Sequence, residues 1–264
     1  MSSNWIEDLR EARKGKLIGA EIIFFNQVDS TNHLAREEAR RGAGEGRVVL
    51  TEFQSQGKGR LGRTWESPPG VNLYTSIILR PPIPSPMAPK ITLLAGVAAA
   101  NALTRVSGLD ARIKWPNDIF ICGKKVAGIL AELEGEGQRT QFVILGVGVN
   151  VNWEKEEVPA SLREMATSLR AEAGKEFSRA LVAAELFEEL EREYGLFLKE
   201  GFSSRLQNEW NRLSWVNEKR ATVKVMDKVF EGRVLGLDPE GALLFIDREG
   251  NTRRFIAGDV SLSL

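Results

Sequence analysis

The densest group of chemically useful residues is Gln54-Ser55-Gln56-Gly57-Lys58-Gly59-Arg60-Leu61-Gly62-Arg63-Thr64-Trp65, with three glycines, three cations and no acid. Glycine lets a backbone come close to an anion and aim N–H groups at it. Lys58, Arg60 and Arg63 supply positive charge for a phosphate or carboxylate, and Arg does so through a bidentate fork. Trp65 offers a flat apolar face to a ring. A solvated flexible loop would have the same composition. Gly57, Gly59 and Gly62 share the spacing of the dinucleotide fingerprint, but that fingerprint needs a helix directly after it, and strand-like sequence follows here.

Three further segments carry candidate chemistry. Lys114-Trp115-Pro116-Asn117-Asp118 places a cation, an amide and a carboxylate around a rigid proline. Asn117 suits an adenine or phosphate oxygen and Asp118 suits a cation, although Asn-Asp after Pro is also ordinary turn chemistry. In Gly123-Lys124-Lys125-Val126-Ala127-Gly128-Ile129-Leu130, Lys125 opens an apolar strand. The low dielectric there would let it stabilise developing negative charge. Lys124 reads as a solvated residue beside a tight turn. In Gly146-Val147-Gly148-Val149-Asn150-Val151-Asn152, two glycines inside a strand imply close approach by a ligand, by another backbone, or a bulge. Asn150 ends that strand.

The elements that must position these residues follow from pattern. Asn4–Lys14 reads as a short amphipathic helix, and Ala20–Val28 as a strand. Asp29-Ser30-Thr31-Asn32 is a run of helix-capping types ahead of a helix over Leu34–Arg41. Arg47–Phe53 and Val71–Leu79 read as strands flanking the long loop Gln54–Gly70. Five of the ten prolines lie in Pro81–Pro89, an extended connection. Pro89 opens an apolar helix running to about Val106. Ile119–Ile121, Val126–Leu133 and Phe142–Val151 read as strands, with Gly123-Lys124 and Glu134–Thr140 as turns. Leu162–Ala173, Arg179–Lys199 and Gly201–Leu213 read as helices. Arg220–Leu264 reads as several short strands with turns at Asp238–Gly241 and Arg248–Asn251. The expected fold class is therefore α+β: a mixed-sheet domain over residues 1–216 and a small all-β domain over 217–264.

Composition narrows the functions. The chain has 264 residues, 36 basic and 36 acidic, with 42% hydrophobic and 27% charged residues. That excludes a disordered chain and one that binds nucleic acid through net positive charge. The apolar stretch Ile91–Leu103 reads as a buried helix, too short for a bilayer, so no membrane partner is expected. Met1–Lys16 has no hydrophobic signal core. The single His33 and single Cys122 speak against Ser-His-Asp or Cys-His hydrolysis, a disulfide and a zinc site. His33 reads as a helix-surface residue. The chain is expected to be cytoplasmic.

Taken together and in order, the motifs resemble the biotin protein ligases. The family's Ser-Thr-Asn is matched by Ser30-Thr31-Asn32, and its Gly-Arg-Gly-Arg-x-Gly-Arg-x-Trp by Gly57–Trp65. Its Lys-Trp-Pro-Asn-Asp is matched in full by Lys114–Asp118. Its Lys-x-x-Gly-Ile-Leu is matched by Lys125–Leu130, and its Gly-x-Gly-x-Asn by Gly146–Asn150. The one departure is Lys58, where the family has Arg; Lys keeps the charge and lacks the planar fork. The resemblance spans essentially the whole chain.

The resemblance implies a catalytic domain like that of class II aminoacyl-tRNA synthetases and an SH3-like C-terminal domain. It implies that biotin and ATP form biotinyl-5′-adenylate and pyrophosphate, with Mg²⁺ accompanying ATP through ligands the motifs do not identify. A lysine of the biotin carrier domain of a biotin-dependent carboxylase then attacks the mixed anhydride and releases AMP. Lys125 and Arg60 would be catalytic. Biotin would meet Ser30, Thr31, Asn32, Gln54, Gly57, Lys58, Gly59, Arg60, Lys125 and Gly128. ATP would meet Arg60, Arg63, Trp65, Asn117, Lys125 and Asn150, while Lys114 and Asp118 would orient the site. No N-terminal winged helix is expected, so the resemblance is to the ligase-only type with no DNA partner; a homodimer is left open. The nearest alternative is a lipoate-protein ligase-like acyl-adenylate transferase, against which the polar set Ser30, Thr31 and Gln54 speaks, because buried polar groups want partners. A second alternative is a non-enzymatic nucleic-acid module, against which the neutral charge speaks.

Overall fold

The structure is a computed structural model and describes residues 5–262. The expected start of the first helix at Asn4 and the last two residues lie outside the described residues. Helix α1 covers Trp5–Ala12, strand β1 Ile22–Val28, helix α2 Thr31–Arg40 and strand β2 Val48–Gln54. Strand β3 (Leu73–Leu79), helix α3 (Pro89–Ser107) and strand β4 (Arg112–Lys114) follow. Strand β5 (Asp118–Ile121), β6 (Lys124–Glu136) and β7 (Arg139–Val149) complete one sheet. Helices α4 (Leu169–Ala173), α5 (Arg179–Glu200) and α6 (Ser204–Leu213) come next. Strands β8 (Arg220–Val225), β9 (Lys228–Leu237), β10 (Leu243–Asp247), β11 (Thr252–Phe255) and β12 (Asp259–Leu262) form a separate antiparallel sheet in the order β11-β10-β9-β8-β12.

The large sheet has the order β1-β2-β3-β7-β6-β5-β4. Only β1 and β2 are parallel, because α2 crosses over between them; the other pairs are antiparallel. The sheet is thus mixed and the fold α+β, as expected. Alternation along its strands sorts side chains onto two faces. Val48, Leu50, Leu73, Ile77, Leu145 and Val147 face the main core with α3 and α5, whereas Val49, Ile78, Phe142 and Ile144 face Ala35 and Ala39 of α2. Every residue of α3 from Leu93 to Ala100 is buried. The alanines among them allow close packing with α5, Gly96 faces Ile113 of β4 and Trp210 of α6, and Gly108 closes the helix in the left-handed region at φ 74°.

Three details differ from the sequence reading. First, Ser85–Ser107 is a helical stretch of 23 residues, long and apolar enough to cross a membrane, so the apolar segment is not too short. It is instead a core helix: 67% of its most apolar 18-residue window is buried inside the protein. Second, Glu134–Thr140 is not a loop: β6 runs on to Glu136 and pairs it with Arg139 across a two-residue turn, where Gly137 adopts φ 58°. Third, Leu162–Ala173 is helical only over Leu169–Ala173. The Lys125 N–H donates to the Met165 carbonyl at 2.8 Å and the Thr167 N–H donates to the Lys125 carbonyl at 2.9 Å. Those bonds draw the segment toward strand β6 and away from a helical path.

One carboxylate secures the chain between α1 and β1. The N–H groups of Lys16, Leu17 and Ile18 all donate to Glu191 of α5, at 2.8, 2.9 and 2.9 Å. Burial alone would raise the Glu191 pKa; these three bonds and the nearby Arg13 charge hold it below the usual carboxylate range. Bonds to a charged acceptor are worth roughly 1.5–3 kcal/mol, so Glu191→Ala is expected to cost about that much in urea unfolding at neutral pH. Because the folded pKa is the lower one, the contribution of Glu191 is present above the unfolded carboxylate pKa and is lost as pH falls through the folded value. The gap between wild type and variant should therefore close on acidification.

Candidate active site

The site is built on the α2 face of the large sheet. Register pairs Ser76 of β3 with Gly146 of β7, which in turn pairs with Leu130 of β6. One step along, Tyr74, Gly148 and Gly128 form a second row. The glycines leave a depression between rows of side chains. Their missing Cβ atoms answer the question raised by the glycine-rich strand, and the answer is protein side chains. A Cβ on Gly146 would lie 2.1 Å from Asn32 Oδ1, and one on Gly148 would lie 2.6 Å from the Trp65 ring. A Cβ on Gly128 would lie 2.8 Å from the other edge of that ring. The glycines are thus required for Trp65 and Asn32 to lie down on the sheet.

One part of the cavity lining is uncharged and polar. Ser30 is the N-cap of α2, yet its side chain makes no cap bond, so its hydroxyl is left for the cavity it lines. The first-turn N–H of Thr31 is satisfied by Gln54 Oε1 at 2.9 Å, and the Thr31 hydroxyl donates to the same oxygen at 3.1 Å. Gln54 Nε2 donates to Ser67 at 3.1 Å, which fixes the orientation of the amide.

The same lining also carries three cations, Lys58, Arg60 and Lys125, with Gly59 between the first two in sequence. Lys125 Nζ sits 2.7 Å from Asp118 Oδ1 and 5.2 Å from the Trp65 ring centroid. Asp118 thus does hold a cation, that of Lys125. Arg60 donates to Asn117 Oδ1 at 3.0 Å, and Asn117 Nδ2 is spent on the Ile129 carbonyl at 2.9 Å. Burial, helped by the Lys125 charge and opposed by that of Asp118, holds the Lys114 ammonium below the usual lysine range. The Trp65 indole N–H is buried with no hydrogen-bond acceptor among the described residues.

Eleven of the expected site residues line this one cavity: Ser30, Thr31, Asn32, Gln54, Lys58, Gly59, Arg60, Trp65, Asn117, Lys125 and Gly128. Three do not. Gly57 sits at the base of the loop, where its carbonyl accepts the Trp65 N–H at 2.9 Å. Arg63 points away toward Asp259 at 2.6 Å. Asn150 is buried beside the 167 segment, donating to the Thr167 carbonyl at 2.9 Å. His33 is exposed on α2 and pairs with Asp29 at 2.6 Å. Lys124 is not simply solvated: its Nζ donates to the Arg163 carbonyl at 2.8 Å.

The sequence reading missed Tyr74 and Ser76 of β3, Glu132 of β6, and Asp259. Asp259 lies at the start of β12 in the small sheet and takes Arg60 at 3.3 Å as well as Arg63. The Gly258 carbonyl accepts from Arg60 at 3.4 Å. The cationic loop is therefore tied to the C-terminal sheet. No group of three or more His, Cys, Asp or Glu side chains able to cage a metal occurs among the described residues.

Sequence profiles match this arrangement: the Biotin/lipoate A/B protein ligase family over residues 24–150, and the Biotin protein ligase C terminal domain over 219–263. The chain belongs to the biotin/lipoate A/B protein ligase family. Within that family its similarities are to the biotin enzymes. It is 34% identical over 255 residues to the Bifunctional ligase/repressor BirA of Bacillus spizizenii, covering 97% of this chain and 78% of that protein. It is 41% identical over 127 residues to the Biotin--[acetyl-CoA-carboxylase] ligase of Paracoccus denitrificans, covering 47% of this chain and 52% of that one. Among solved structures, the biotin protein ligase of Aquifex aeolicus in complex with biotin and ATP superposes with a TM-score of 0.77 at 26% identity, covering 92% of this chain and 98% of that one. The chain is thus an enzyme of the biotin ligase type, and the C-terminal match does not favour the lipoate alternative.

Proposed function

We propose that this protein condenses biotin with ATP to biotinyl-5′-adenylate and pyrophosphate, then passes the biotinyl group to a lysine of the biotin carrier domain of a biotin-dependent carboxylase. The observation that carries this reading is a single cavity lined both by the uncharged polar Ser30, Thr31 and Gln54 and by the cations Lys58, Arg60 and Lys125. A ureido ring suits the first set; a carboxylate meeting an α-phosphate suits the second.

Neither step needs a covalent enzyme intermediate. In the first, a biotin carboxylate oxygen attacks the α-phosphorus and pyrophosphate leaves. Two anions must meet, so the protein's task is to hold them together and neutralise charge. Lys125 faces the α-phosphate, Lys58 and Arg60 the carboxylate and phosphates, and Trp65 and Asn117 the nucleotide. Arg63 and Asn150, which lie off the cavity wall, support the nucleotide side from behind. In the second step the acceptor amine attacks the anhydride carbonyl, loses a proton and releases AMP. Mg²⁺ would accompany ATP and offset charge on its phosphates; the Asp118 carboxylate is already paired with Lys125 at 2.7 Å, so the phosphates themselves would be the ion's main ligands. Residues 1–216 form the catalytic part, 217–264 the C-terminal domain, and the enzyme works in the cytoplasm.

The test is pyrophosphate release with ATP and either biotin or lipoate, followed by mass spectrometry of a carrier domain. Biotin-dependent release and a single biotinyl-lysine adduct are expected. Release supported by lipoate and not by biotin would overturn the assignment.

A further inference from the structure

A hydrogen-bond chain leads from the surface to Thr31 in the cavity lining. It starts at Arg36 on α2, whose guanidinium holds Glu132 of β6 at 2.8 Å. The other Glu132 oxygen accepts from Asn32 Nδ2 at 2.7 Å. The same Nδ2 also reaches the Leu130 carbonyl at 3.3 Å. Both of these partners are acceptors only, so the Asn32 amide is fixed with its Nδ2 toward β6 and its oxygen toward β3. That oxygen lies 2.6 Å from the Ser76 hydroxyl, which also lies 2.8 Å from Thr31 Oγ1.

Ser76 has one proton, and the Asn32 carbonyl oxygen has none to give. The Ser76 proton therefore goes to Asn32, and Ser76 meets Thr31 as an acceptor. The Thr31 hydroxyl then has two acceptors beside it, Ser76 and Gln54 Oε1, and spends its single proton on one of them. What Thr31 has left for a ligand is a lone pair. Had Asn32 been turned round, its amide would donate to Ser76, Ser76 would donate to Thr31, and the pattern at the cavity would be free to invert.

We infer that Glu132, clamped by Arg36, is a positioning residue that makes Thr31 an obligate hydrogen-bond acceptor and so selects a ligand that presents an N–H there. This deepens the proposed function and rests on it: the N–H is one of the two in the ureido ring. Asn32 on this account acts through Ser76, because its own donor and acceptor are already engaged. Gly146 is the other requirement, since a side chain there would collide with the Asn32 oxygen.

The test is Glu132→Gln, which keeps the shape and removes the fixed acceptor. Biotin affinity is read by calorimetry without ATP, for biotin and for two analogues in which one or the other ureido N–H is replaced by a ring oxygen. Wild type should bind biotin and discriminate against one analogue. Glu132→Gln should weaken biotin roughly tenfold, the worth of one well-formed hydrogen bond to a buried partner. It should leave the disfavoured analogue's affinity unchanged, the signature of coupling in a double-mutant cycle. In steady state KM for biotin should rise with kcat preserved. Glu134→Gln, which loosens the neighbouring pairs with Arg36 and Arg40 and does not touch Asn32, should bind like wild type. Equal weakening of biotin and both analogues would show that Glu132 only supports the fold, and no weakening would show that it positions nothing; either overturns the inference while leaving the enzyme's function standing. A wild type that ignores biotin would overturn both.

Discussion

Lys125→Ala should cut biotinyl-adenylate formation by about 10²–10³-fold, by analogy with removing one donor aimed at a developing oxyanion, and leave the fold nearly unchanged. Lys125 is fixed at both of its backbone groups, by the Met165 carbonyl and the Thr167 N–H. Its side chain passes over Gly128 and beside the Trp65 ring, so the ammonium is held in partly desolvated surroundings. In the free protein it is paired with Asp118 at 2.7 Å, a partly exposed pair worth no more than about 1 kcal/mol to stability. Rapid-quench measurement of adenylate from biotin and ATP, with a melting curve alongside, checks both halves. A near wild-type rate in a folded variant would remove Lys125 from the role assigned to it.

Arg60→Ala should make the enzyme lose its intermediate. Arg60 joins three parts of the molecule: its own loop, Asn117 at 3.0 Å, and the Gly258–Asp259 corner of the C-terminal sheet. Among these contacts the Asn117 amide and the Asp259 carboxylate anchor the loop where it lines the cavity. Removing the guanidinium should admit water there, and a mixed anhydride hydrolyses unless water is kept away. Charge-assisted bonds of this kind are worth roughly 1.5–3 kcal/mol, so pyrophosphate release without any acceptor protein should rise roughly tenfold to a hundredfold. Free biotinyl-adenylate in the supernatant is the direct readout. Asp259→Ala should show the mechanical half of the same effect, with trypsin cutting at Lys58, Arg60 and Arg63 faster than in wild type in the absence of substrates. Biotin and ATP together should slow those cuts. Unchanged cleavage in all four conditions would show that the loop does not cover the site.

Much of the site could be read in the sequence because its chemistry is local. The Gly57–Trp65 loop, Lys114–Asp118 and Lys125–Leu130 each pair a special backbone residue with a charge at fixed spacing, and the structure brings members of all three onto one cavity. The α+β class was legible for the same reason: periodicity of two or of 3.6 is written into neighbouring residues. What the sequence could not determine is what faces what. Gly146 and Gly148 read equally as ligand contacts or a bulge, and only the sheet register shows that they make room for Asn32 and Trp65. Glu134 and Glu136 read as a turn because charged residues alternate at a solvent-facing hairpin end as readily as in a loop. Glu132 and Asp259 carry no local signal at all, since their partners Asn32 and Arg60 lie 100 and 199 positions away. Side-chain polarity of this kind depends on long-range pairing, and it is the close packing of one sheet face and one domain corner that decided it.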